Sequence, residues 1–167
     1  MERTSSLSEF LSYLESLAEK HNEIRHKRDG RTHFIRLDTD ELDNSIKQII
    51  GFPVVCIDRY SASLQGSSGN VSKKRGITIM ILDYVADSKN YEKIHETWDR
   101  CETIADDFVA KIYSDIKAGV AAGIFDFELS DVEYELAGNK SLGLYGSIIT
   151  FPVSSVFCVE PRYESFE

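Results

Sequence analysis

The sequence predicts an α+β fold: an antiparallel sheet of about four strands, covered by one long helix plus an N-terminal helix. Three observations lead there. Residues 87–119 repeat apolar positions at three- and four-residue spacing over the longest stretch of the chain. Before it lie two runs rich in β-branched residues, FPVVCIDRY (52–60) and ITIMILDYV (77–85). After it come two more apolar runs, FDFELSDVEYEL (125–136) and LYGSIITFPVSSVFCV (144–159). A chain of 167 residues suits a single domain with a substantial core. Its expected parts are an N-terminal helix and basic turn (1–50), a core of sheet and long helix (51–160) and a short C-terminal tail (161–167).

The first helix is SLSEFLSYLESLAEKH, with Leu7, Phe10, Leu11, Leu14, Leu17 and Ala18 on one face. Ser6 followed by Glu9 fits a capping box, in which each side chain satisfies an orphan amide of the first turn. The helix should fade between His21 and Ile24. RHKRDGRTH (25–33) then makes a basic turn around Asp29-Gly30, and FIRL (34–37) fits a short edge strand. TDELDNSIKQII (39–50) reads as a short helix opened by Thr39 or Asp40 and closed by Gly51.

In ITIMILDYV, Ile77, Ile79 and Ile81 face one way while Met80, Leu82 and Tyr84 face the other, so both faces need cover. The long helix supplies one cover through a stripe of Tyr91, Ile94, Trp98, Cys101, Ala105, Phe108, Ile112 and Ile116. Trp98, Ile94, Phe108 and Ile112 are expected among its most buried residues. Asp87 or Ser88 can cap its start, and Gly119 can take the left-handed position after its end. In residues 125–136 the apolar phase slips near Ser130-Asp131, which predicts a bulge or break. Gly138-Asn139 supplies turn chemistry. Tyr145, Ile149, Phe151, Val153, Phe157 and Val159 share a face of the last strand. Pro152 lacks an amide hydrogen, so it belongs at an edge or an irregularity.

Composition excludes several classes. A net charge of −9 argues against broad electrostatic binding to nucleic acid or anionic membranes, and no specific nucleic-acid binding is expected. No run approaches the length of a membrane span, and the start MERTSSLSEF has no apolar signal core. Synthesis and folding in a cytoplasm follow as the expectation. Cys56, Cys101 and Cys158 are odd in number and widely spaced, which fits core filler better than disulfides or zinc.

Motifs for chemistry are weak. GSSGNVSKK is not a phosphate-binding GxxxxGK[ST], and it leads into a strand where that motif needs a helix. Nor does GSSGN have the GxSxG spacing of a nucleophile elbow. His21, His26 and His33 lie close in sequence without metal-ligand spacing, and His95 sits at the edge of the helix stripe. The pairs Asp40/Asp43 and Asp106/Asp107 read as helix-end and solvated-face carboxylates. The expectation is no catalytic residue, no cofactor and no bound metal.

The segment SLQGSSGNVSKKRG (63–76) stands out as a soluble connection between two apolar strands, ending in the cations Lys73, Lys74 and Arg75. Its glycines and serines predict a mobile loop centred on Gly66 to Asn70. Lys73, Lys74, Arg75, Gly66 and Asn70 are the candidate contacts with a neighbouring subunit or partner; a solvated hairpin loop whose charges deter aggregation is the plainer reading.

The order of elements adds a resemblance. A leading helix (SLSEFLSYLESLAEK), a strand pair (FPVVCIDRY and ITIMILDYV), a long helix (YEKIHETWDRCETIADDFVAKI) and the closing DVEYELAGNKSLGLYGSIITFPVSSV resemble the tail-terminator, or tail-completion, proteins of long-tailed bacteriophages and prophages. The resemblance covers most of the chain and rests on architecture rather than on a motif. It implies a non-catalytic virion protein that forms a ring, commonly a hexamer, on the tail tube and helps join tail to head. Implied partners are further copies of itself and the tail-tube and head-connector proteins; the implied location is the virion tail, after assembly in the bacterial cytoplasm. The segment 25–50 is longer than the simplest members need, which leaves a related neck or tube-associated protein as an alternative. A monomeric or dimeric adaptor for another partner is the other.

Overall fold

A computed structural model describes residues 6–27, 29–36, 50–67, 69–121 and 123–159. The helix expected over 39–50 and the tail 161–167 lie outside these residues, apart from Ile50. The elements run α1 (Leu7–Lys20), β1 (Thr32–Ile35), β2 (Ile50–Ser67), β3 (Asn70–Tyr84), α2 (Tyr91–Lys117), β4 (Ile124–Asp126), β5 (Glu133–Asn139) and β6 (Leu144–Val156).

The architecture is α+β with two helices, but the sheet is mixed and larger than about four antiparallel strands. Six strands lie in the order β1-β2-β3-β6-β4, with β5 also on β6. β1 runs parallel to β2, while the remaining pairs are antiparallel. Both β4 and β5 flank β6, against its end and its beginning respectively: Glu133–Asn139 pair with 144–150, and Ile124 and Asp126 with Ser155 and Ser154. The break expected near Ser130-Asp131 is a 3-10 turn, Leu129–Asp131, between these two strands. Pro152 falls in the gap, where neither β4 nor β5 pairs with β6. The missing amide is tolerated there because no ladder needs it.

The helices cover one face. Phe10, Leu14, Leu17 and Ala18 of α1 and Cys101, Ile104, Ala105, Phe108 and Ile112 of α2 pack with Val55, Ile57, Ile77, Ile79, Ile81, Ile149, Phe151 and Val153. The capping box forms as read from sequence: Glu9 N–H donates to Ser6 Oγ at 3.1 Å, and Ser6 N–H to Glu9 Oε2 at 2.6 Å. The start of α2 differs. Asn90 is its cap, accepting from Lys93 N–H, and Asp87 instead closes the preceding turn on Lys89 N–H. Gly119 does take the left-handed position, with φ 71°.

The α2 stripe is rotated slightly from expectation. Ile94, Phe108 and Ile112 are buried, but Tyr91 is exposed and Trp98 is only partly covered. Thr97 takes the buried position at that turn, its hydroxyl donating back to Lys93 O. Trp98 instead lies at the margin, edge-on to Tyr145, with Nε1 donating to the Ala137 carbonyl at 2.8 Å. On the opposite face of the sheet a second cluster gathers Ile35, Ile50, Val54, Cys56, Leu82, Ala137, Leu142 and Leu144. Cys56 and Cys101 are core residues as expected, whereas Cys158 is partly exposed beyond the end of β6.

The largest departure is the stretch 63–76. It is not a loop. β2 and β3 continue through it as a hairpin arm, paired from Arg59↔Thr78 up to Ser67↔Asn70. Gly66 has φ 112°, and a Cβ there would strike the Asn70 carbonyl, so glycine is required at the tip. β6 runs alongside as far as Ser72↔Val156, and Phe157 N–H reaches Val71 O at 3.2 Å. The arm is therefore three-stranded almost to its end, and the mobile loop expected over 66–70 is replaced by ordered strand pairing.

Candidate functional site: the two open edges of the sheet

The histidines are placed first, because catalysis or metal binding would need one of their lone pairs. His21 lines a cleft of about 420 Å³ between the end of α1 and α2. Its Nδ1 accepts from Glu23 N–H at 3.3 Å, and Nε2 then carries the proton that meets Asp107 at 3.1 Å. The arrangement resembles a catalytic dyad, but the only lone pair is already used by a backbone amide. His26 is similar: Nδ1 accepts from His33 N–H, and Nε2 faces Glu15 at 3.3 Å.

Glu15, Glu19 and His26 have ligand atoms within 4.8 Å of one another, the spacing of a metal cluster. To ligate through Nε2, His26 would have to surrender the proton it directs at Glu15. The two carboxylates are moreover engaged by Lys27 and Arg36. Lys27 holds the Glu19 carboxyl below its usual range, first through a 2.6 Å hydrogen bond and then by charge. His33 is buried, with Nδ1 on the Pro53 carbonyl and Nε2 on Asp29, both at 3.1 Å. Both partners only accept, so the imidazolium form alone donates to both. Gly51 makes room for this ring, since any Cβ there would overlap it. These three imidazoles fasten the 21–33 turn and β1 to α1, α2 and β2.

The cations of the arm separate by strand periodicity. Arg75 lies in phase with Ile77, Ile79 and Ile81, on the helix-covered face, and is 1% exposed. Its Nε donates to Tyr60 Oη at 3.2 Å and a terminal nitrogen donates to Ser155 Oγ. It therefore ties β2, β3 and β6 together at the base of the arm, where an exposed partner contact was expected. Lys73 and Lys74 are half-buried on opposite faces, while Gly66 and Asn70 are exposed at the tip.

What the arm exposes instead is an edge. β1 pairs with β2 only as far as Cys56, so Arg59–Ser67 form no ladder on their outer side with any described strand. All nine residues are exposed. No acidic residue occurs from Arg59 to Leu82, and Pro and inward lysine, the usual protections of a bare edge, are absent from 59–67. A bulge between Ile57 and Arg59 marks where the free edge begins.

The other margin of the sheet has the opposite charge. Asp126, Glu128, Asp131, Glu133 and Glu135 are all exposed along β4, the 3-10 turn and β5, with no basic residue between Ile124 and Asn139. Apolar side chains are exposed at both margins: Tyr60 and Leu64 on one, Phe125, Leu129 and Leu136 on the other. Sequence reasoning did not relate Arg59 to Asp126 and Glu133, because their placement at opposite margins of one sheet is a relation only topology supplies. No protein-family model matches the sequence, and no curated protein matches it significantly.

Proposed function

We propose that this chain is a non-enzymatic phage or prophage structural protein, a tail terminator that forms a ring on the tail tube and helps join tail to head. One observation carries the reading: among the described residues the sheet is open at two margins of opposite charge, one of them a nine-residue strand edge. A monomer that exposes such an edge risks uncontrolled pairing, whereas a ring consumes both margins in every copy. The resemblance drawn from the sequence supports the same reading. The partners are then other copies of the chain, the tail-tube end and the head connector, and the location is the virion tail. The same bare edge supports a second reading, an adaptor that accepts a strand from another protein.

Deleting the gene from its own replicon and imaging the particles by electron microscopy tests the proposal. Overlength tubes or tails without heads are expected. Normal tailed particles would contradict it.

A further inference from the structure

We propose that the outer edge of β2 at Tyr60–Leu64 takes an extended acidic segment of another protein as an added antiparallel strand, one whose apolar side chains alternate with carboxylates. The inference rests on the strand-accepting reading of this edge given above and adds the chemistry of the donor.

The direction of the backbone groups comes first. Phe157 N–H donates to Val71 O, and just past the other end of β3 Val85 N–H donates to Gly143 O. Val71 and Val85 therefore turn their peptide groups to the β6 side. Successive residues of an antiparallel strand alternate between its two sides. Lys73, Arg75 and Ile77 thus address β6, while Ser72, Lys74, Gly76 and Thr78 address β2. β2 pairs with β3 from Arg59↔Thr78 to Ser67↔Asn70 without a further shift. Arg59, Ser61 and Ser63 accordingly bond to β3, and Tyr60, Ala62 and Leu64 aim N–H and C=O outward. Among the described residues no strand receives those groups.

Side chains set the character of the donor, because directly opposed residues project on the same face. On the helix-covered face a donor strand meets Tyr60, Ala62 and Leu64, all exposed, and Leu64 is 54% so. Apolar side chains opposite them cover this row. On the other face the donor meets Arg59 and Ser63. Lys74 is the partner of Ser63 on β3 and lies on the same face, one strand in behind that small side chain.

Arg59 is 86% exposed and has a 3.7 Å contact with Asp58, which leaves it able to turn outward. A carboxylate opposite Arg59 and another opposite Ser63, within reach of Lys74, would each meet a cation. No acidic residue from Arg59 to Leu82 repels them. Charge complementarity therefore selects an acidic donor. Read from its own N-terminus, the donor places an apolar residue opposite Leu64, an acid opposite Ser63 and an apolar residue opposite Ala62. A small residue then faces Ser61, an apolar one Tyr60 and a second acid Arg59. In strand addition of this kind the main chain supplies affinity and the alternating side chains supply specificity.

Fluorescence anisotropy of the full chain with designed peptides tests the site. The probe is fluorescein-labelled VEVSVE with an amidated C-terminus. VKVSVK is the charge control, and VEPSVE is the ladder control, since its proline lacks the amide hydrogen that the Ala62 carbonyl would accept. VEVSVE is expected to bind saturably, one per chain, and more weakly as salt rises. Both controls should bind at least about tenfold more weakly. Arg59→Glu and Lys74→Glu should each weaken VEVSVE about tenfold with the thermal melt retained, and Arg59→Glu should bind VKVSVK more tightly than the parent chain does. Equal binding of VEVSVE and VKVSVK would overturn the acidic donor yet leave the edge a strand acceptor. Binding of none of the three peptides would overturn both. Displacement of VEVSVE by an equal concentration of oligothymidylate would mark a general anion surface and overturn the strand site. Light scattering in the same buffer reports the mass: a multimer that excludes VEVSVE would give the edge to another copy of the chain and overturn the proposal.

Discussion

Phe108→Ala and Trp98→Ala should each cost several kcal/mol and Tyr91→Ala almost nothing, although the sequence alone places all three on one helix stripe. Phe108 is 2% exposed within the main cluster. Losing about 150 Å² of buried ring at about 25 cal/mol per Å² gives about 4 kcal/mol. Alanine recovers about 0.8 kcal/mol of this, and the unfilled cavity adds to the loss, so the range is about 3–5 kcal/mol. Trp98 keeps a minor part of its surface in solvent, and its larger ring still leaves roughly 160 Å² buried, about 4 kcal/mol before the alanine methyl is credited. Its hydrogen bond to Ala137 contributes about 1 kcal/mol more, for a total of about 3–5 kcal/mol. Tyr91 is 66% exposed, and Tyr91→Ala should stay within about 0.5 kcal/mol. For a chain of this size each kcal/mol moves Tm by about 2–4 °C, so the Phe108 and Trp98 variants should each fall by about 12 °C and the Tyr91 variant by less than about 2 °C. Far-UV circular dichroism suits the melt, because Trp98 is the only tryptophan and its variant has no indole signal. A Tyr91→Ala loss equal to either of the other two would refute the placement of α2 on the sheet.

Two further outcomes follow from the buried groups. In native protein, a thiol reagent should modify Cys158 rapidly and leave Cys56 and Cys101 untouched until unfolding: burial, then a nearby carboxylate, pushes both of those thiols up to about 12. Fast modification of more than one thiol per chain refutes that. Tyr13 Oη donates to Asp115 at 3.0 Å and Lys111 Nζ at 2.6 Å, joining α1 to α2. Burial pushes the Asp115 carboxyl up, but hydrogen bonds from Lys111 and Tyr13 outweigh it and leave it below its usual range. Stability from a depressed carboxyl is present above the unfolded value near 4 and is lost as pH falls through the folded one. Tyr13→Phe should therefore cost about 1–2 kcal/mol at pH 7, with the gap to the parent protein narrowing in urea titrations toward pH 3. A gap that widens on acidification contradicts this pairing.

The helices were legible because their signals are local. Ser6 and Glu9 form a box within one turn, and Ile94, Cys101, Ala105, Phe108 and Ile112 repeat at helical spacing. The mixed sheet was not, since β1 is four residues long and its parallel partner lies beyond a segment of unrelated pattern. The arm was misread for a chemical reason. Tyr60, Ala62 and Leu64 alternate with Ser61, Ser63 and Gln65, but small polar residues give too little contrast for the period of two to stand out. The same period, extended back from Ile77, Ile79 and Ile81, puts Arg75 inside, so its burial could have been found. Counting it with Lys73 and Lys74 as one basic run hid that. The acidic margin was visible as composition in FDFELSDVEYEL, but its relation to Arg59 across four strands was not.

Sedimentation of the purified chain over a concentration series tests the central claim, self-assembly into a closed ring, most directly. From an 18.9 kDa protomer, the account predicts one discrete species of several subunits that saturates with concentration and weakens in high salt, because the joint is charged. A chain that remains 18.9 kDa at every concentration, alone or mixed with tail-tube ends, would contradict it.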